Sequence, residues 1–496
     1  MRFSTAAVAV LLCLLPALSR ADRTWLAVLM DGRKVGHLTI DRDITDASVT
    51  TTQTLDFRLT RISTPLELHT EIRSVEDATG APLSFAAQSG MSTQINRADG
   101  HRRDDGSFQV SNTVAGQSRV SLLIWPTEAL LAEGQRLALV RHGFKPGTTY
   151  RIRTFDPIRQ QVADVKVTVV GDELVDMPSG QERLHHLRQS LAQERDPDRV
   201  LDLWLDDAGH IRRGISPLLG FRLEMVACTE TCAMAPDQDV DLLRAAMTQS
   251  PRLLPQNLRS EPLRYFIYVK GGAEKPFMDT DEQHASSLGD GRWQLDVGFA
   301  GGNAQVGPLP EDTAPNPWVQ SDSPEIIAAA KNATAGATND VQRIRRLRTF
   351  VSGYIEEKGL DVGYASALET LHTRRGDCTE HAVLLAALAR SEGIPTRVVT
   401  GIVYADRFGG LSRVFVPHAW VQVWLGKSWV SFDSALRRYD STHIAFATGS
   451  GDPWRFFAAM NVLGKIRIDK ILPGSDLTDM PGPTPAMAPG GGGGRE

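Results

Sequence analysis

Three side chains able to carry out nucleophilic chemistry occur in order near the C-terminal end of this 496-residue chain: Cys378, His418 and Asp433. Cys378 lies in Arg374-Arg375-Gly376-Asp377-Cys378-Thr379-Glu380, His418 in Pro417-His418-Ala419-Trp420, and Asp433 closes Ser431-Phe432-Asp433. A thiol, an imidazole and a carboxylate are the groups that acyl transfer through a thioester needs. Sulfur attacks a carbonyl carbon, the imidazole moves the proton, and the carboxylate fixes the imidazole tautomer.

These groups must be positioned by a helix and a hairpin. Asp377 and Glu380 have capping-box spacing, the run 382–389 is strongly helical, and Gly393 with Pro395 ends it. Cys378 is therefore expected at the first helical position, where the amide dipoles, with Arg374 and Arg375 close by in sequence, favour its thiolate. His418 opens an alternating strand that runs to Leu425, Gly426-Lys427 reads as a two-residue turn, and 428–432 returns. Pairing Leu425 with Ser428 places Trp420 opposite Asp433. His418 and Asp433 then fall on one face as diagonal neighbours, their backbones about 7–8 Å apart. A slip of one residue would separate them. His381, one helical turn past Cys378, and His372, with no carboxylate evident to orient it, are rival bases.

The rest of the chain bounds the setting. Arg2, an apolar run from Ala6 to Leu15 and Ser19-Arg20-Ala21 read as a cleavable secretory leader over 1–21, so the mature chain is expected to be soluble and exported, with a periplasm the favoured setting. No later run reaches 18 apolar residues, so no integral membrane anchor is expected. Losing Arg2 and Arg20 leaves 52 basic against 59 acidic residues, a net charge of about −7 that gives no footing for nucleic acid. Of the cysteines left, Cys228 and Cys232 form the natural disulfide clip in an oxidising compartment, leaving Cys378 as the free thiol. Neither an oxygen-rich calcium loop nor a zinc-type Cys/His spacing is evident, so no cofactor or metal is expected.

Residues 22–249 read as a β-rich domain of antiparallel strands, beginning with a hairpin turned at Asp31-Gly32, with a short helix near 127–133. Residues 250–317 read as a small β segment and a Gly/Pro-rich linker, 318–472 as the domain carrying the three residues, and 473–496 as a disordered Pro/Gly tail.

The motif series Gly376-Asp377-Cys378-Thr379-Glu380-His381-Ala382, Gly393-Ile394-Pro395-Thr396-Arg397-Val398-Val399, His418-Ala419-Trp420-Val421-Gln422-Val423-Trp424 and Trp429-Val430-Ser431-Phe432-Asp433 resembles the bacterial transglutaminase-like core over roughly 318–471. That resemblance implies an α+β, papain-like fold, a Cys-bearing helix against an antiparallel sheet, here preceded by the large antiparallel β region. It implies Cys378 as nucleophile, His418 as general base and acid, and Asp433 as its orienter. The family includes transferases and hydrolases, so amine and water both stand as acceptors. A cysteine protease or deamidase of the same fold, and a non-catalytic envelope scaffold, are the alternatives. A protein or cell-envelope peptide is the expected substrate. The Cys378 N–H is the expected oxyanion donor, with Tyr364 a second candidate and Trp420 and Trp424 read as packing residues.

Overall fold

The computed structural model describes residues 20–477 apart from 63, 92–93, 115, 193–199, 219–220, 272–274, 300–305, 360–363 and 452–461. The expected leader lies outside the described residues as far as residue 19, and the expected tail does so from 478 onward. Arg20 and Ala21 open the first strand, Arg20–Met30, while the last strand, Ile466–Pro473, is followed by a helical turn, Gly474–Leu477.

Fifteen strands between Arg20 and Cys228 form one sheet. The chain meanders outward from Arg20–Met30 to Gln117–Leu123, and a second meander returns from Ala129–Leu130 to Phe221–Cys228, which pairs antiparallel with the first strand. Its opening hairpin turns at Asp31 (φ 48°) and Gly32 (φ 80°), the left-handed pair that suits the twist of the flanking strands. Phe85 and Phe108 pack with Phe155 and Trp125 in one cluster although their strands lie far apart in the hydrogen-bonded order, so the sheet curls until its halves face each other. The helix expected near 127–133 begins later, at Ala132, and runs to His142. A positive φ at Glu128 and pairing of Ala129–Leu130 with the strand Thr149–Asp156 occupy the residues before it. The Cys228–Cys232 disulfide forms, with Cα atoms 5.9 Å apart.

The segment read as a small β piece and linker is integrated with the C-terminal part. Leu263–Val269 lies between Arg292–Val297 and Ile466–Pro473 in a four-stranded sheet completed by Gln283–Gly289. Tyr265, Ile267 and Leu295 share a core with Ile402, Phe415 and Ile444. The stretch expected to link domains is also held: Arg390 donates to the Ala314 carbonyl and Trp429 to that of Val306.

The site is built on a five-stranded sheet and a central helix. Leu411–Trp424 pairs with Thr396–Phe408, Trp429–Phe432 and the short strand Thr248–Gln249, and Ile444–Gly449 completes the sheet on Thr396–Phe408. The helix Cys378–Ser391 packs on this sheet, enclosed by Pro324–Thr334, Asp340–Tyr354 and Ala367–Thr373. Its residues from Thr379 to Arg390 are buried, which is why the run 382–389 is apolar on all sides instead of striped.

Gly401 stands opposite His418 in the register, where a Cβ would come 2.0 Å from the Ile444 carbonyl oxygen and 2.7 Å from the Trp420 ring. Two strands and an indole can approach this closely only without a side chain. Gly401→Ala is expected to cost about 3 kcal/mol in urea unfolding, at the upper end for overpacking because the obstructing atom is backbone.

Candidate active site

Cys378 is the first residue of its helix. Asp377 caps it, accepting the Thr379 N–H at 2.9 Å, while Glu380 reaches back to the Asp377 N–H at 2.8 Å. The capping box read from the sequence is therefore present, and it fixes where the sulfur points. The sulfur lies against the backbone amide of Ala419, the residue after His418, so the cysteine helix and the histidine strand meet at the thiol.

The hairpin has the counted register. Trp424 pairs with Trp429 and Val421 with Phe432, while Leu425 N–H donates to Ser428 across the Gly426 turn. His418 Nε2 consequently lies 2.7 Å from Asp433 Oδ2. Both side chains are almost fully buried. The other carboxylate oxygen accepts the Ala435 and Leu436 N–H groups at 2.8 and 2.9 Å, so Asp433 cannot rotate without losing them. Because Nε2 is committed to an acceptor-only carboxylate, it carries the proton in the neutral ring and leaves Nδ1 as the basic nitrogen.

A third ring completes this cluster. His443, just ahead of Ile444–Gly449, places its Nε2 3.0 Å from the same Asp433 Oδ2 and its Nδ1 3.0 Å from the Asp440 carbonyl. His418, Asp433 and His443 are metal-ligand residue types with ligating atoms within 4.8 Å of one another. Here those atoms are engaged in hydrogen bonds among themselves.

Charge around the thiol departs from expectation. Burial pushes the Cys378 thiol well up and the Asp377 carboxylate adds to this, while the Ala419 amide and Arg61 pull the other way. The resting site is thus a neutral thiol, not the thiolate anticipated from the helix start and its neighbours. Arg374 and Arg375 do not offset this, because they turn outward to Glu356 and Glu357, at 3.0 and 2.8 Å. The cation that does serve the site is Arg61, at the end of the strand Val49–Arg61 in the β-rich region, which pairs with Asp377 Oδ2. Against the cost of burial, Arg61 and the Thr379 hydrogen bonds hold Asp377 below the usual carboxylate range. Burial and Asp377 together push Glu380 up to about 8, so it carries a proton at neutral pH. Arg61→Ala would remove the positive charge and leave Asp377 uncompensated beside the sulfur. Iodoacetamide should then alkylate the folded protein about tenfold more slowly, because the thiol is pushed further up.

The rival bases have different surroundings from His418. His381 is buried with neither ring nitrogen hydrogen-bonded among the described residues, and burial followed by Lys358 lowers it to about 4. His372 does meet a carboxylate, Glu325 at 2.6 Å, but as an exposed surface pair away from the thiol. The Tyr364 hydroxyl donates to the Gly451 carbonyl at 3.1 Å, and Trp420 Nε1 donates to Ser431 Oγ at 3.2 Å. Sequence reasoning missed Arg61, which no local motif marks, and His443, whose only sign was an Asp440-Ser441-Thr442-His443 run following Asp433.

Residues 327–434 match the model of the transglutaminase-like superfamily, and the C-terminal region has a transglutaminase-like core. An uncharacterised protein of Mycobacterium leprae is 37% identical over 68 residues, 13% of this chain and 24% of that protein. The chain thus matches about a quarter of that relative's length. Among solved structures, a provisionally designated cysteine protease from Cytophaga hutchinsonii is 17% identical, with a TM-score of 0.27 over 43% of this chain and 84% of the other. A β-barrel-like protein of a domain of unknown function from Brucella abortus is 14% identical, with a TM-score of 0.34 over 43% of this chain and 97% of the other.

Proposed function

We propose that this chain is an exported cysteine-dependent acyl-transfer enzyme, with Cys378 as nucleophile, His418 as general base and acid, and Asp433 as the orienter of His418. The carrying observation is the junction of helix and strand: the Cys378 sulfur lies on the amide next to His418, and His418 is locked by Nε2 to a buried Asp433. With the thiol neutral at rest, attack and proton transfer go together. Sulfur bonds to the carbonyl carbon of a protein or peptide amide as its proton passes to His418 Nδ1. Collapse breaks the C–N bond, the departing ammonia or amine takes the proton, and a thioester remains. An amine or water then attacks, His418 accepts the incoming proton, and the sulfur is reprotonated. The Cys378 N–H at the helix start is the donor for the oxyanion. The Cys228–Cys232 disulfide supports an oxidising compartment, and no helix among the described residues is long and apolar enough to cross a membrane.

The test uses p-nitrophenyl acetate as a simple acyl donor, followed by intact mass and peptide mapping. An acetyl adduct confined to Cys378, discharged faster by a primary amine or by water, is the expected result and names the acceptor. A glutaminyl peptide supplied with and without the amine then separates transfer from deamidation, and an internal peptide substrate reports proteolysis. No adduct on Cys378 in the folded protein, with reaction only after denaturation, would sink the reading in favour of a scaffold.

A further inference from the structure

The cluster contains one more imidazole than a Cys-His-Asp site requires. Both His418 Nε2 and His443 Nε2 point at the single oxygen Asp433 Oδ2, at 2.7 and 3.0 Å, and an ionised carboxylate oxygen can only accept. Each Nε2 therefore bears hydrogen. His443 Nδ1 lies 3.0 Å from the Asp440 carbonyl, an obligate acceptor, and 3.5 Å from the Asp440 carboxylate, with the Asp440 N–H farther away than the carbonyl, at 3.3 Å. The nearest partner of each ring nitrogen is thus an acceptor, and the ring is 1% exposed between two carboxylates. That arrangement favours an imidazolium.

We propose that His443 is a cationic positioning residue that divides the Asp433 carboxylate with His418, and so limits how strongly that carboxylate holds a proton on His418. The proposal rests on the thiol-triad reading above. An unshared Asp433 carboxylate would hold a proton on His418 more strongly. A fixed positive ring 5.7 Å from His418 opposes that proton and leaves Nδ1 free to receive the one from sulfur. The groups facing His443 are consistent with a cation. Asp433 and Asp440 flank it, Tyr439 packs against it at a tilt at 4.6 Å, the Trp420 ring stands edge-on at 5.1 Å, and Glu282, whose carboxyl burial pushes up, interacts with it from ahead of Gln283–Gly289. His418 is the opposing neighbour, and Tyr265 is engaged with the Ser441 carbonyl. Burial works against the charge on His443, but its bonds to Asp433 and Asp440 outweigh it and push the ring up to about 9. It is therefore charged at neutral pH.

His443→Gln retains an N–H for Asp433 without the charge. The pH profile of Cys378 acetylation by p-nitrophenyl acetate, read by intact mass, should shift its acidic limb upward by roughly one unit. The rate at pH 6 then falls about tenfold, while that at pH 8 changes less than about threefold. A purely structural role predicts the same fractional loss at both pH values, and an unmoved limb in the folded variant overturns the proposal. Histidine-selective 15N NMR on the unaltered protein gives an arm independent of variant folding. Both His443 nitrogens should be protonated at pH 7, and a neutral ring there would also overturn it. If Cys378 is not acetylated at all while His443 is an imidazolium, the triad reading fails instead.

Discussion

Cys378→Ala is expected to abolish acetyl-enzyme formation and turnover, with a loss on the order of 10⁶ in rate, because in the proposed mechanism the thiol forms the covalent bond. The same change is expected to leave the fold nearly untouched. Cys378 is only half-buried, alanine is the strongest helix former, and the cap at this terminus belongs to Asp377 and Glu380, not to the thiol. Removing a sulfur whose ionisation is opposed by burial and by Asp377 also relieves no ion pair. Thermal unfolding should therefore change by about 1 kcal/mol or less, the expected size for a small half-buried side chain at the edge of the helical core. Loss of labelling together with a large drop in stability would mean that Cys378 is a packing residue. Retained acetylation elsewhere in the chain would mean that the nucleophile has been misassigned.

The site could be read from the sequence to the extent that its geometry is local. A two-residue turn at Gly426-Lys427 fixes a strand register, so counting was enough to bring His418 level with Asp433. A capping box within four residues was enough to place Cys378 at a helix start. His443 and Arg61 were not legible because nothing local orients them: His443 comes from a loop ten residues past Asp433, and Arg61 is brought across from the β-rich region, 316 positions before Asp377. The thiolate expectation failed for the same reason. It assumed that sequence neighbours are spatial neighbours, whereas Arg374 adopts a left-handed conformation (φ 56°) that turns the chain away, and its guanidinium pairs with Glu356. In the β-rich region, strands dense in Val, Ile and Leu such as Leu201–Leu205 gave a signal. Others such as Gln94–Arg102 (QINRADGHR) and Gly180–Leu191 (GQERLHHLRQSL) are polar, because most of their residues are at least partly exposed on a single curled sheet. Pairing of Leu263–Val269 with Ile466–Pro473 spans some 200 residues, a distance over which pattern carries no register information.

Asp433→Asn tests the site as an electrostatic unit, since one carboxylate serves two histidines. An asparagine placed here presents either an oxygen with no charge or an NH₂ group directed at two N–H donors. In the first orientation imidazolium at His418 loses its counter-ion, and in the second the ring takes the other tautomer, with Nδ1 protonated and no longer basic. The acetylation rate should fall on the order of 10³–10⁴. Stability should fall as well, through His443. Its folded-state value of about 9 lies above the ordinary histidine range near 6.5, so it contributes stability fully below about pH 6.5 and loses it as pH rises through 9. The difference corresponds to about 3 kcal/mol, supplied by Asp433 together with Asp440. The unaltered protein should lose that increment between pH 6.5 and 9 in urea unfolding, and Asp433→Asn should be the less stable protein at pH 6 with a flatter profile across that window. Asp433 itself is held well below its usual range by the two histidines, against the cost of burial, so its own contribution persists from above pH 4 and is lost only in strong acid. A variant equally stable at pH 6 would show that His443 is neutral in the fold. A variant that is destabilised but still acetylates Cys378 at an undiminished rate would show that Asp433 supports the loop and not the base.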